Sequence, residues 1–306
     1  MHKDSTVSAL RAFQWSVFQT VTIIGPGLLG ASAGMAMHAN GLAKRVVCST
    51  RRVETRLACE QAAWCDAAYA DASDAVVDAD FVIICTPVHT ILPLLEAVGR
   101  NLKPGCIVTD VGSTKGLIVR GARGLVPAGV HFVGSHPMAG SEKSGFAAAQ
   151  MDLFQGRACF VTPLPDTDSE AAAQVVKFWR RMEMTVESID PERHDEIVAN
   201  ISHLPHLLAS TLAAYLDTRP HPWRDFAGGG LRDTTRVAAG DPQMWKEITE
   251  QNAEEILRAI EGFEQELQAL ASAIRNGQGF SIQSILERGQ AYRQRLQPRP
   301  SDYDSA

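Results

Sequence analysis

A run of strand-type residues, Val21 to Ile24, passes directly into Gly25-Pro26-Gly27-Leu28-Leu29-Gly30, and an alanine-rich helical stretch, Leu28 to Asn40, follows it. Strand, glycine turn and helix in that order restrict the fold more than composition does. The first glycine permits the tight turn, the second lets backbone approach a pyrophosphate, and the third lets the helix pack closely on the strand. The helix N-terminus then presents amide donors to the phosphates. Gly25, Gly27, Leu28, Leu29 and Gly30 are therefore expected to hold a dinucleotide. A glycine turn alone also occurs without a ligand; the flanking strand and helix favour the phosphate site.

Further β-rich runs occur at Arg45–Ser49, Phe81–Cys85, Ile107–Asp110, His131–Gly134, Cys159–Thr162 and Thr185–Ser188. Helical patterns lie between them, among them Ala171–Arg181 and the segment after Pro93. Such alternation predicts a parallel sheet with crossover helices. From Pro191 the pattern is helical almost throughout. Ile197, Ile201, Leu204, Leu208, Leu212 and Tyr215 recur every three or four residues, and Trp245–Ile274 reads as a second long helix. The expected fold is an α/β N-terminal Rossmann-like dinucleotide-binding domain, residues 1–190, plus an all-α C-terminal domain, residues 191–306. The tail after Leu296 reads as loose.

The end of the second strand bears on the kind of dinucleotide. A site for NAD places an acid there to accept from the ribose hydroxyls, whereas this chain has Ser49-Thr50-Arg51-Arg52. Hydroxyls and guanidinium groups suit a 2′-phosphate, so NADP is favoured and NAD is the alternative. A solvated loop is the other reading of the two arginines. Thr86 and Pro87 follow the strand ending at Cys85, at the edge where such cofactors dock.

Net charge is −6 over 306 residues with no acidic or basic block, so no nucleic-acid or anionic-membrane partner is expected. The six cysteines form no CxxC pair and show no zinc-type spacing with histidine. They read as reduced structural thiols, with no metal, in a cytoplasmic protein. The first 19 residues lack the pattern of a secretory signal, and no uncharged apolar run approaches a membrane span.

Three more clusters remain: Asp110-Val-Gly-Ser-Thr-Lys115; GSHPMAGSEKSG from Gly134 to Gly145; and Ser202-His203-Leu204-Pro205-His206 with Arg232, Asp233 and Arg236 downstream. GSHPMAGSEKSG and SHLPH, in that order after the glycine loop, resemble the prephenate/arogenate dehydrogenase family of tyrosine biosynthesis, from about Val21 through the helix after Trp245. The resemblance implies oxidation and decarboxylation of a cyclohexadienyl acid, giving 4-hydroxyphenylpyruvate from prephenate or tyrosine from arogenate. It implies that His136 accepts the hydroxyl proton, which suits a neutral imidazole. Ser113 would steer that hydroxyl, and Arg236 would hold a substrate carboxylate in a bidentate fork.

Ser202 and His206, four residues apart, would share one helix face, with a kink at Pro205. Ser141 and Glu142 match the family's loop after the histidine, with serine where family members usually carry threonine. Trp245 matches a tryptophan that reaches the partner subunit's site, which implies a homodimer, although helix packing explains it equally well. Asp233, if it faces the pocket, would attract the ammonium of arogenate. The competing readings are a related two-domain hydroxy-acid dehydrogenase and a non-catalytic dinucleotide sensor. The first generally uses a lysine on the helical domain, which SHLPH lacks.

Overall fold

The computed structural model describes residues 17–140 and 143–296; the expected loose tail lies outside the described residues. One parallel sheet is formed by β1 (Phe18–Ile24), β2 (Ala43–Ser49), β3 (Ala67–Tyr69), β4 (Phe81–Ile84), β5 (Ile107–Asp110) and β6 (His131–Phe132). Their order is β3-β2-β1-β4-β5-β6. Strands covered on both faces need apolar residues on both, and all of β4 is buried. The crossovers are α1 (Leu28–Ala39), α2 (Val53–Gln61), α3 (Ala72–Ala75), α4 (Ile91–Gly99) and α5 (Gly116–Ala122). The strand order reverses between β1 and β4. Ser49, Ile24, Ile84 and Asp110 stand side by side in register, so the carboxyl ends form one edge, where open α/β sheets bind their ligands.

The run His131–Gly134, expected as one strand, divides at Val133. β6 closes the parallel sheet, while β7 (Gly134–Pro137) opens a second one with β8 (Ala158–Thr162) and β9 (Thr185–Ser188). β7 pairs with β8 antiparallel and β8 with β9 parallel. His136 therefore lies within a strand and not after one. Pro137 is tolerated because β7 is an edge strand. Helix α6 (Ser169–Arg181), capped by Asp168 accepting from the Ala171 amide, packs Phe178 against Phe81 in a tilted pair with ring centroids 4.7 Å apart.

The helical half contains α7 (Pro191–Val198), α8 (Leu204–Asp217), α9 (Gly229–Thr235), α10 (Pro242–Gln251), α11 (Ala253–Arg275) and α12 (Gly279–Arg295). Two expectations are corrected here. A π turn, Ala199–His203, joins α7 to α8. It adds a residue to the turn at the point where Pro205 has no amide to donate, so Ser202 and His206 do not follow simple four-residue spacing. The Trp245–Ile274 helix is two helices broken at Asn252, whose side chain donates to the Asp195 carbonyl at 2.9 Å. Apolar periodicity continues on both sides of that break, which hides it from the sequence.

Within Pro191–Asp217 an 18-residue stretch, mean hydropathy 1.2, is long and apolar enough by composition to cross a membrane, contrary to the sequence expectation. Pro191–Asp217 nevertheless carries buried His194, Asp195, His203 and His206 in its interior face. Ile248 of α10 is buried in the same core as Val88, Ile91 and Leu95, which seats the helical half on the sheet's carboxyl edge.

Candidate active site

The glycine loop has the shape its sequence demands. Gly25 has a φ of +86°, and a Cβ there would lie 2.6 Å from Thr86 Cγ2 and 2.9 Å from the Cys85 carbonyl. A Cβ on Gly30 would lie 2.5 Å from the Gly25 carbonyl, whereas one on Gly27 would meet nothing within 4 Å. The outer two glycines close the turn; the middle one faces open space, as close approach of a phosphate requires. No side chain caps α1, whose first residues are Leu28 and Leu29, so its end amides remain available to an anion. The residues thus fit a dinucleotide.

Beside the loop, the Ser49 carbonyl accepts from the Gly25 amide at 3.0 Å, and the Ser49 side chain is buried. Thr50 Oγ1 accepts from the Arg52 amide at 3.3 Å. Arg51 and Arg52 are exposed, and their guanidinium groups have no partner among the described residues. Thr86, half-buried, accepts from Thr90 Oγ1 at 2.8 Å, and Pro87 is exposed.

The next strand end builds the floor of the site. Asp110 and Lys115 form a fully buried ion pair; burial presses the lysine towards neutrality, and Asp110 opposes this. Asp110 also accepts from the amides of Gly112, at 2.8 Å, and Ser135, at 3.2 Å. Ser135 Oγ donates to the Asp110 carbonyl at 2.6 Å and, its one proton so engaged, accepts from Thr109 Oγ1 at 2.8 Å and Trp179 Nε1 at 2.9 Å. These bonds clamp β7 and so position its next residue, His136. Ser113 lies half-buried in the intervening loop with its hydroxyl unpaired among the described residues. Thr114 Oγ1 donates to Gln251 Oε1 at 2.7 Å and ties that loop to α10.

His136 Nδ1 lies 2.9 Å from His194 Nε2, and His194 Nδ1 lies 2.8 Å from Asp195 Oδ1. Asp195 accepts in addition from the amides of Lys115 and Gly116, both at 2.8 Å. Burial opposes charge on Asp195, but the bond from His194 and these amides outweigh it and hold the carboxyl below its ordinary range. The tautomers follow from that carboxylate. His194 donates through Nδ1 and must accept at Nε2; His136 then donates through Nδ1. The lone pair of His136 Nε2 is left free of partners among the described residues.

Burial first, then the repulsion that His194, Lys115 and His203 exert when protonated, holds His136 well below the ordinary 6.5. Burial likewise lowers His194, with Asp195 in partial opposition. The site thus presents a buried neutral imidazole whose far nitrogen is backed by a carboxylate, the arrangement of an oriented general base.

Sequence reasoning found His136 but missed His194, Asp195 and Asn252. The available signal was the adjacent His194-Asp195 pair at the start of the helical half. His203 also has a larger part than expected. It is buried with its Nδ1 3.2 Å from Asn252 Nδ2, and burial pushes it down to about 4. His206 is buried flat against Trp245, ring centroids 3.5 Å apart, so Trp245 is stacked within its own chain. Ser202 is half-buried in the π turn. Asp233 and Arg236 are exposed and make no ion pair or hydrogen bond among the described residues. Ser141 and Glu142 lie outside the described residues.

Comparison with known proteins agrees with this architecture. Residues 33–188 match the family model "Prephenate dehydrogenase, nucleotide-binding domain", and residues 190–288 match "Prephenate dehydrogenase, dimerization domain". The prephenate dehydrogenase of Bacillus subtilis is 32% identical over 294 residues, 93% of this chain and 79% of that protein. The crystal structure of A. aeolicus prephenate dehydrogenase, in complex with hydroxyphenyl propionate and NAD+, has a TM-score of 0.87 at 29% identity, covering 93% of this chain and all of that one. Synechocystis arogenate dehydrogenase gives a TM-score of 0.78 at 28% identity, covering 90% of this chain and 99% of that one. The glycine loop precedes the first matched residue and rests on its own geometry. With both halves matched in order, this chain belongs to the prephenate dehydrogenase family.

Proposed function

We propose that the chain oxidatively decarboxylates a cyclohexadienyl acid, prephenate or arogenate, with NADP favoured over NAD. The observation that carries the reading is the His136–His194–Asp195 relay at the carboxyl edge of a dinucleotide-binding sheet. A nicotinamide dinucleotide, when bound, supplies the hydride acceptor. His136 Nε2 takes the proton of the substrate's 4-hydroxyl as hydride leaves the same carbon. The bond from the ring to its carboxylate breaks, carbon dioxide departs, and the electron pair enters the ring, which becomes aromatic. His194 and Asp195 stabilise the imidazolium as it forms and keep Nε2 directed outward. The unpaired hydroxyl of Ser113 steers the substrate hydroxyl.

Arg236, unpaired and exposed, serves as the carboxylate anchor, and Asp233 as the partner for arogenate's ammonium. Ser202, His206, Ser141, Glu142 and Trp245 complete the substrate side. Gly25, Gly27, Leu28, Leu29 and Gly30 hold the pyrophosphate, with Thr86 and Pro87 bordering it. Ser49, Thr50, Arg51 and Arg52 receive the 2′-phosphate, supported by two unpaired guanidinium groups and the lack of an acid at that strand end. Assembly is as a homodimer through the helical domain.

The deciding experiment crosses prephenate and arogenate with NAD and NADP and follows reduced cofactor. Turnover is expected with arogenate at least equal to that with prephenate, and better with NADP. An Arg51→Ala, Arg52→Ala variant should shift the preference towards NAD. No turnover in any combination would leave a dinucleotide-binding sensor.

Two further outcomes are expected. Because the neutral histidine is the active form and its pKa is depressed, activity should persist as pH falls below the ordinary 6.5. The acid limb of kcat/KM, which belongs to the coupled histidine pair, should therefore lie beneath that value. A limb at or above it removes His136 as the base. Arg236→Gln should raise KM by about 10- to 100-fold with kcat little changed, the scale of losing a hydrogen bond to a charged group; an unchanged KM removes the anchor.

A further inference from the structure

Away from the relay, three cysteines that are scattered in sequence converge. Cys48 is the sixth residue of β2, Cys59 lies near the end of α2, and Cys65 sits in the turn that leads to β3. Their sulfur atoms all lie within 4.8 Å of one another. Cys48 and Cys59 have no solvent exposure, and Cys65 is half-buried. Cys65 Sγ donates to the Ala67 carbonyl at 3.3 Å. None of the three is in a disulfide.

Zinc-type coordination, with metal–sulfur bonds of about 2.3 Å, places sulfur atoms about 3.8 Å apart, so a contraction of about 1 Å or less would bring the ring to bonding size. We propose that Cys48, Cys59 and Cys65 form a three-thiolate site for a soft divalent d10 cation of the zinc class. Three thiolates with a divalent cation leave one net negative charge in a buried place; a monovalent cation would leave two. Glu60 and Asp66 act electrostatically on these thiols, which adds to the preference for the higher cation charge. Binding releases the thiol protons and ties β2, α2 and the approach to β3 together just beneath Ser49–Arg52. The spacing Cys48-x10-Cys59-x5-Cys65 resembles no paired-cysteine motif because the first ligand comes from a sheet strand.

Cadmium is the probe, since its thiolate complexes absorb in the ultraviolet. Reduced full-length protein titrated with cadmium alone should develop the thiolate-to-metal band with an end point of one ion per chain. The band should survive a weak competing chelator. Cys65→Ser should lose most of it, and Cys106→Ala, outside the cluster, should keep it. Should Cys65→Ser fail to fold, timed alkylation of the native wild-type protein decides: cadmium should slow modification of Cys65, the least buried thiol of the cluster, as followed by peptide mapping. No stoichiometric band, an unchanged band in Cys65→Ser, or protection of no thiol in this cluster overturns the site.

Discussion

His136→Asn is expected to lower kcat by about 10²- to 10⁴-fold, the usual contribution of a positioned general base, while dinucleotide affinity stays within a factor of two or so. The reason is geometric. Asparagine keeps a donor near the Nδ1 position but offers no nitrogen lone pair at Nε2, so the proton of the reacting hydroxyl has no acceptor. The glycine loop and the strand ends around it are untouched, because β7 is clamped by Ser135 and not by His136 itself. Stopped-flow turnover and fluorescence titration of the reduced cofactor separate the two effects. Equal loss of cofactor affinity would mean that His136 holds the site's shape and not the proton. Full retention of kcat would move the base elsewhere.

Lys115→Met is expected to be the most damaging single change to stability, at about 3–5 kcal/mol, read as a fall in the urea midpoint at constant slope. The lysine is fully buried, so solvent does not screen the pair, and its removal leaves the Asp110 carboxylate uncompensated in the protein interior. Asp110 still accepts from the Gly112 and Ser135 amides, which softens the loss without neutralising the charge. Asp110→Asn in the Lys115→Met background should recover part of the stability, since a neutral amide oxygen can still accept from those amides. A single variant as stable as the parent would show that the pair is replaceable packing. A double variant no better than the single one would show that the charge is not what costs.

The two halves of the molecule were unequally legible. The parallel sheet followed from apolar runs and turn residues, because strands buried on both faces carry a near-continuous signal that needs no partner to be read. β3 was missed: three half-buried residues, Ala67–Tyr69, carry almost no pattern. β7 was misread because a strand that leaves one sheet for another keeps the same local propensity; only its pairing with β8 distinguishes the two. The helical half was readable as helix but not in its breaks. The π turn at Ala199–His203 sits where Pro205 has no amide to give, and the break at Asn252 goes with its side-chain bond to the distant Asp195 carbonyl, while the 3.6-residue pattern runs on across both.

The same division holds for the chemistry. The chain's order of residues was enough to single out Gly25 to Gly30 as a tight strand-to-helix turn, because the required φ at Gly25 and the close packing at Gly30 are consequences of a strand meeting a helix within a few residues. It was also enough to single out His136 within its motif. What orients His136 and leaves its Nε2 lone pair open is a histidine 58 positions away, a carboxylate next to that one, and two amides from the loop after β5. Likewise nothing in the Asp110 to Lys115 run marks Lys115 as fully buried, and the three thiols have no spacing in common. Backbone conformation is set over a few neighbouring residues, so sequence carried it. Burial, tautomer and ion pairing depend on groups that the chain brings together only by folding, and those the tertiary structure alone decided.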